Sequence, residues 1–373
     1  MSDEISYLSH ARYGKDKVRV LRVVREGSWH HVVEYNVTVL VEGDIETSYT
    51  EADNSVVVAT DSHLAKVSPH ILSPERFALH LGTHIISKYS HLHKAFVTIE
   101  QLRWTRIQVQ EGSEAKQHPH SFLRDGDEKR VVKVEVDASK GKNKLIGRVS
   151  AGINDLLVLK STGSAFNKFV RDEYTTLAEV DDRIFSTSVD LNYTFSPIDI
   201  PTPKNEDKLD FAVPVAGSQE AGTVWDDSIP EKARKVTLEV FALDDSASVQ
   251  ATLYKMATQI VQDHAGIASV SYALPNKHYI PVDMKYIGVD NLTPAKAEVF
   301  MPIAAPSGLI SATVSRNQTK ENVPNIPYSA LSSILGYDED NANLSAGLAT
   351  YGHPRRLPFA PGVRYSLKRV LVL

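Results

Sequence analysis

Cysteine is absent from this chain of 373 residues. Its absence excludes disulfides, thiolate nucleophiles, and the zinc and iron–sulfur sites that cysteine ligates. Positive charge is not in excess either, because 41 lysines and arginines stand against 46 aspartates and glutamates. The resulting net charge of −5 does not indicate the basic surface on which nucleic acids bind. The chain has no run of 18 apolar residues and no apolar segment near its start, so we expect neither a membrane span nor secretion.

Short motifs for common chemistries are also missing. The 14 histidines include close neighbours, such as His30 with His31 and His118 with His120, but no His-Glu-x-x-His motif. The chain has no Gly-x-Ser-x-Gly motif for a nucleophilic serine. Gly163 stands alone rather than in a phosphate-binding loop. The residues alone therefore support neither a metal site, nor a nucleotide loop, nor a covalent hydrolase.

Alternating apolar and polar residues predict β-strands in both halves of the chain. The first such stretch, residues 18–42, is predicted as a hairpin because a Glu-Gly pair interrupts it at Gly27. The other predicted strands are residues 95–107, 121–124, 131–136, 155–161, 183–193, 267–274, 278–286 and 307–315.

Helices are predicted between the strands of each half. The first begins at Ser73, the expected N-cap, with Pro74 as the first helical residue. Two more are predicted at residues 229–241 and 246–263, where apolar side chains recur at helical spacing. Strands, helices and strands in each half predict an α+β fold with helices on one face of an antiparallel sheet.

This order of elements divides the chain into two units, residues 12–150 and 151–316. Within the second unit, residues 195–228 are rich in Pro, Asp, Glu and Gly and are predicted as an extended loop. Residues 317–373 show no sustained periodicity, so we expect a poorly ordered C-terminal extension.

A polar stretch between two apolar runs is the strongest local candidate for a binding site. Asn276, Lys277 and His278 follow an alternating strand, and Pro275 is expected to break that strand. Polar side chains at the end of a rigid element suit a small polar ligand. An ordinary solvated connection explains the same residues.

Eight segments, in order along the chain, resemble those of the urate oxidase (uricase) family. They are Tyr13-Gly-Lys-Asp16, Glu46-Thr-Ser-Tyr-Thr50, Ala59-Thr-Asp-Ser62, Leu159-Lys-Ser-Thr-Gly163, Arg171-Asp-Glu-Tyr-Thr-Thr-Leu177, Asp181-Asp-Arg-Ile184, Ser248-Val-Gln-Ala251 and Asn276-Lys-His278. The resemblance implies the tunnelling fold (T-fold), with two tandem ββααββ units in each chain. It also implies a sixteen-stranded β-barrel built by two chains, and a homotetramer of two such rings.

The same resemblance implies an enzyme that converts urate, O₂ and water into 5-hydroxyisourate and hydrogen peroxide without a metal or organic cofactor. Phe166 then corresponds to the aromatic residue that stacks on the purine. Arg183 and Gln250 correspond to the groups that hold its pyrimidine edge. Val249 would add a backbone N–H from the first turn of a helix. Asn276 would hold O₂ or water above the ring.

Lys15, Thr60 and His278 match the proton relay of the family. The resemblance implies that Lys15, Thr60 and Asp61 come from the neighbouring subunit, with Thr60 and Asp61 also contacting the substrate. Burial can lower the pKa of a lysine until it accepts protons, and histidine titrates near neutrality. Without the resemblance, each of these residues also fits an ordinary role, such as a turn, a strand end or a surface ion pair.

The C-terminal sequence departs from the family pattern. Eukaryotic members often end in a Ser-Lys-Leu-type peroxisomal signal, whereas this chain ends Leu371-Val372-Leu373. The family favours a peroxisomal location, and a cytoplasmic one is the alternative. The segment 195–228 is also longer than expected for the family.

Two other functions fit the same predicted fold. One is another tunnelling-fold enzyme that acts on a pterin or purine-like ring, often with zinc. The other is an assembly that has kept the fold and lost its activity. The presence of Lys15, Thr60 and His278 argues against the second.

Overall fold

Strands contain more residues than helices in the described chain, which comprises residues 6–58, 64–203 and 226–317 of a computed structural model. The strands are β1 (Tyr13–Glu26), β2 (Trp29–Gly43), β3 (Leu92–Glu111), β4 (Glu114–Asp137), β5 (Leu145–Lys160), β6 (Phe185–Phe195), β7 (Ile198–Ile200), β8 (Ile267–Pro281), β9 (Phe300–Ile303) and β10 (Leu309–Ser315). The helices are α1 (Glu46–Thr50), α2 (Leu64–Val67), α3 (Pro74–Lys88), α4 (Ile229–Leu243) and α5 (Val249–Asp263). Short 3-10 turns lie at Asn54–Val56, Lys285–Ile287 and Pro294–Lys296.

All these strands belong to one antiparallel sheet. Its order is β1-β2-β3-β4-β5-β6-β8-β10, with β7 paired to β5 and β9 paired to β8. Helix α3 packs on β3 and β4, whereas α5 packs on β8 and β10. The chain thus runs through two strands, helices and two strands twice over. This confirms the predicted α+β fold.

The core lies between the sheet and the helices. Register places apolar residues directly opposite one another on this face of the sheet, in a row that crosses eight strands. The row is Val18, Val37, Ile99, Val132, Ala151, Tyr193, Val270 and Val314. Its six central members are at most 6% exposed. Each large apolar side chain buried in this way contributes roughly 1.5–3 kcal/mol.

The strands predicted between residues 95 and 136 were too short. The structure has one hairpin, β3 and β4, over Leu92–Asp137, where the sequence predicted three separate strands. Residues 108–130 are mostly exposed or half-buried, so they carry no apolar alternation to reveal the strand. Backbone pairing, from Gln108↔Gln117 outwards, continues the ladder there regardless of side-chain polarity.

The predicted break at Pro275 is wrong. Strand β8 continues through this proline to Pro281. Its pairing with β6 skips from Ala273 to Asn276, because Pro275 has no N–H to donate to the ladder. On its other side, Pro275 remains in register with Leu309 of β10. Residues 278–281 of the strand predicted at 278–286 form the end of β8, and the strand stops at Pro281.

The helix predictions were correct in place but not in every detail. The predicted helix 246–263 begins at Val249 in the structure, because Ser248 is its N-cap. Ser73 occupies the N-cap of α3 as predicted, but its hydroxyl donates to Asp227 Oδ1 (3.2 Å) rather than capping the helix.

Several predictions concern residues outside the described ranges. They are Thr60 and Asp61, most of the loop predicted at 195–228, and the extension predicted at 317–373 apart from Asn317. The described residues up to Arg316 belong to one compact unit, and their buried apolar residues form one cluster. The division at residue 150 stays a prediction about repeated elements.

A buried ion pair attaches α3 to the sheet. Glu75, in the first turn of α3, is 3% exposed. Arg130 of β4 donates through Nη2 to both of its carboxylate oxygens, at 2.6 and 2.7 Å. Removing one partner would leave the other charge in a poorly hydrated place.

We expect Glu75→Ala to lower the free energy of unfolding by about 2–3 kcal/mol, because Arg130 would lose its counter-charge. Chemical denaturation measures this change. Glu239→Ala is the control, since Glu239 pairs with Lys235 at 3.7 Å on the surface of α4. It should cost less than about 0.5 kcal/mol. Equal effects of the two substitutions would contradict the role given to Glu75.

Candidate functional site

Three segments of the chain meet between β5, β6 and α5. Ser246 N donates to Gly163 O (3.0 Å), and Ala165 N donates to Ser246 O (2.9 Å). Arg183 N donates to Ser164 O (2.9 Å). These backbone bonds hold the turn after β5 against the residues that precede β6 and α5.

Phe166 and Arg183 are brought side by side by these contacts. Phe166 exchanges two backbone hydrogen bonds with Val180, at 2.8 and 3.0 Å, and its ring stacks on Phe169 with centroids 4.9 Å apart. The guanidinium carbon of Arg183 lies 5.0 Å from the centroid of the Phe166 ring. An apolar ring face and a cation therefore lie at one place, as a flat anionic ligand requires.

The guanidinium of Arg183 has spare hydrogen-bonding capacity. Its Nε atom is buried and finds no hydrogen-bond partner within the described residues. Burial lowers the pKa of Arg183, but an arginine remains charged at neutral pH. A buried donor without a partner is costly, so this atom favours binding of an acceptor.

The N-terminus of α5 lies beside the same turn, through Ser246. The Ser248 hydroxyl caps the helix by accepting from Ala251 N (3.1 Å). The amides of Val249 and Gln250, in the first turn, have no acceptor within the helix. They add the positive end of the helix dipole to the charge of Arg183. Val249 is buried, whereas Gln250 is exposed.

Asn276 and His278 lie near the C-terminal end of β8. Asn276 is half-buried, donates its N–H to Gly308 O (2.7 Å), and faces Thr187 of β6 across the sheet. His278 is half-buried and is in register with Ile303 of β9. Because residues two apart share one face of a strand, both side chains lie on the face that carries Leu274 and α5.

Lys15 lies far from these residues within one chain. It is an exposed residue of β1, opposite Val39. Six strand-to-strand spacings separate β1 from β8, which amounts to roughly 29 Å along the sheet. The structure thus brings Phe166 and Arg183 to the start of α5, and leaves Lys15 apart from His278.

A cavity of about 300 Å³ lies elsewhere, near the N-terminus of α3. Its two arginines are already neutralised, since Arg76 pairs with Asp227 (2.8 Å) and Arg130 pairs with Glu75 (2.6 Å). The charge of Arg183, by contrast, has no ion-pair partner among the described residues. In the described part of the chain, no three histidine, aspartate or glutamate side chains are grouped as metal ligands. Its helices are all too short or too polar to cross a membrane.

Comparison with known proteins shows the family of the chain. The family model described as Uricase matches residues 11–135 and 149–311. The chain belongs to the uricase family. The uricase of Aspergillus flavus is 45% identical over 330 residues, which cover 86% of this chain and 100% of that protein. The uricase of Schizosaccharomyces pombe is 41% identical over 320 residues, which cover 84% of this chain and 99% of that protein.

Solved uricase structures share the fold. The crystal structure of the uricase from Arthrobacter globiformis matches with a TM-score of 0.68 and 31% identity. It covers 86% of this chain and 98% of that one. The Aspergillus flavus and Schizosaccharomyces pombe relatives are named uricase and align with this chain over nearly their whole length. They support urate oxidation as the activity of this chain.

Sequence reasoning missed the residues that hold the site together. The hydrogen bonds of Ser164 and Ser246 are made by backbone atoms, which leave no signal in residue type. Asp182 was noted only as a neighbour of Arg183. Two serine and threonine hydroxyls in this region, of Ser164 and Thr187, are buried without partners among the described residues.

We expect Ser248→Ala to destabilise this uricase-family protein by about 1 kcal/mol, because Ala251 N would lose its capping acceptor. Thermal or urea denaturation measures the loss. Ser73→Ala is the matched control, since Ser73 occupies an N-cap without capping its helix. A loss at Ser73 as large as that at Ser248 would show that the cap bond is not the cause.

Proposed function

We propose that this chain oxidises urate with O₂ and water to 5-hydroxyisourate and hydrogen peroxide. One observation of the structure carries this proposal. The guanidinium carbon of Arg183 lies 5.0 Å from the centre of the Phe166 ring, beside the start of α5, and its buried Nε has no hydrogen-bond partner among the described residues. Membership of the uricase family names the flat anion that this arrangement suits.

The substrate is held by its face and by its edge. Phe166 stacks on the bicyclic ring and sets its height. The Arg183 guanidinium and the Gln250 carboxamide form hydrogen bonds in the plane of the ring, and the guanidinium favours its negative charge. The Val249 N–H donates to the same edge, because the first turn of α5 leaves it without an acceptor.

The overall reaction balances without a further redox partner. Urate loses two electrons, and O₂ gains them together with two protons to become hydrogen peroxide. Water supplies the new hydroxyl of 5-hydroxyisourate. The electron-rich urate dianion can reduce O₂ itself, so we propose that neither a metal nor an organic cofactor takes part. Asn276 holds O₂ and then water close to the ring, which gains the advantage of proximity.

A relay of Lys15, Thr60 and His278 moves the protons. It removes one proton from urate and a second from the attacking water, and both protons pass to the reduced O₂ to give hydrogen peroxide. Lys15 must come from a second chain, because the sheet separates it from His278 by roughly 29 Å within one chain. Thr60 and Asp61 would come from that second chain as well. The separation supports sites between subunits of a homotetramer.

Location follows from the family and the product. A peroxisome contains the enzymes that destroy hydrogen peroxide, which makes it a suitable compartment. We therefore propose a peroxisomal location, with a cytoplasmic one as the alternative.

Loss of urate absorbance together with O₂ uptake, in protein dialysed against a chelator, tests the proposed function. We expect one O₂ consumed for each urate. Arg183→Gln should lower kcat/KM at least 100-fold, about 3 kcal/mol of transition-state stabilisation, because the anion loses its charge partner. Loss of all activity on chelation would contradict the cofactor-free reaction.

Arg171→Gln is the matched control for this measurement. Arg171 is also near an aromatic ring, 5.3 Å from the centroid of Phe169, but it is exposed and donates to Leu177 O (2.9 Å). Its replacement should leave kcat/KM within about twofold of the unchanged protein. If the two replacements reduce activity equally, the cause is a general loss of positive charge rather than the loss of hydrogen bonds from Arg183 to the substrate.

A further inference from the structure

One exposed carboxylate, that of Asp182, accepts hydrogen bonds from the turn that follows β5. Asp182 Oδ2 accepts from the hydroxyl of Thr162 (2.5 Å). Its Oδ1 accepts from Gly163 N (2.8 Å) and Ser164 N (3.4 Å). These three donors belong to consecutive residues, so a single side chain fixes the whole turn.

The geometry of the turn calls for an acceptor without donors of its own. Gly163 has a φ of +78°, a conformation that turns successive N–H groups towards one point. A carboxylate offers two oxygens to such a concavity, whereas a carboxamide offers one oxygen and an NH₂ group. The Thr162 hydroxyl and the backbone amides of the turn hold the pKa of Asp182 below its usual value, although burial opposes this.

The turn positions Phe166 and Arg183, the two side chains proposed to bind the substrate. Ser164 O accepts from Arg183 N (2.9 Å), and Gly163 O accepts from Ser246 N (3.0 Å) before α5. Phe166 follows two residues after Ser164. A shift of the turn would therefore move the aromatic ring relative to the guanidinium and to the start of α5.

We infer that Asp182 is a positioning residue for the substrate: its carboxylate fixes the Thr162–Ser164 turn, and the turn sets the distance between Phe166 and Arg183. Asp182 itself does not contact the purine. The inference rests on the proposed function, because it takes urate as the ligand of that grip. It goes beyond that function because it assigns a role to Asp182, which belongs neither to the proposed substrate-binding residues nor to the proton relay.

Asp182→Asn tests the inference through the steady-state kinetics of urate oxidation. We expect KM for urate to rise at least 10-fold, because alignment of the grip is needed in the ground state as well as in the transition state. The value of kcat should stay within about threefold. Since Asp182 is exposed, the melting temperature should fall by less than about 3 °C. Asp182→Glu, which keeps the carboxylate, should recover part of the affinity.

Asp181→Asn is the matched control. Asp181 carries the same charge one residue away, is also exposed, and accepts from Asn167 Nδ2 (2.7 Å) instead of from the turn. We expect its KM and kcat to remain within about twofold of the unchanged protein. If Asp182→Asn fails to fold, Thr162→Val removes only the hydroxyl bond and should raise KM in the same direction.

Two results would overturn the inference alone: unchanged KM in Asp182→Asn, or an equal rise in Asp181→Asn. If KM is unchanged while kcat and the melting temperature both fall, Asp182 contributes to stability only. An unchanged protein that neither oxidises nor binds urate overturns the proposed function, and this inference with it.

Discussion

The antiparallel order of the sheet is the constraint on which the rest of the account depends. The strands follow one another in the order β1-β2-β3-β4-β5-β6-β8-β10, so β1 at one end lies six spacings from β8. No movement of side chains bridges roughly 29 Å, since a lysine side chain reaches only about a fifth of that length. Residues on β1 and β8 can therefore act on one substrate only if two chains meet.

The residues proposed to bind the ring, by contrast, lie together within one chain, and backbone hydrogen bonds place them there. Ser246 is hydrogen-bonded to Gly163 and Ala165, and Ser164 O accepts from Arg183 N. These backbone bonds place Phe166, Arg183 and α5 side by side. What this framework presents to a ligand is a surplus of donors: the buried Nε of Arg183 and the free amides at the start of α5. Desolvated donors without partners favour an anion that supplies acceptors.

The sequence predicted the element order because apolar alternation marks half-buried strands, as in the row from Val37 to Val270. It underestimated the β3–β4 hairpin, because exposed strands need no such pattern. Pro275 was read as a break because local rules give no account of a strand that is paired on its other side. Phe166 and Arg183 were proposed as substrate-binding residues from the family resemblance, since local patterns do not show that backbone bonds make them neighbours. For Asp182, the only signal in the sequence was its position next to Arg183.

Mixing two inactive variants tests most directly whether one site is shared between two chains. Lys15→Met and Arg183→Gln would each be purified alone, and a third preparation would come from co-expression of the two variants in equal amounts. If Lys15 and Arg183 of a site come from different chains, about a quarter of the sites are intact after random assembly. The account predicts that urate oxidation returns to about 25% of the activity of the unchanged protein. Activity no greater than that of the two variants measured separately would contradict it.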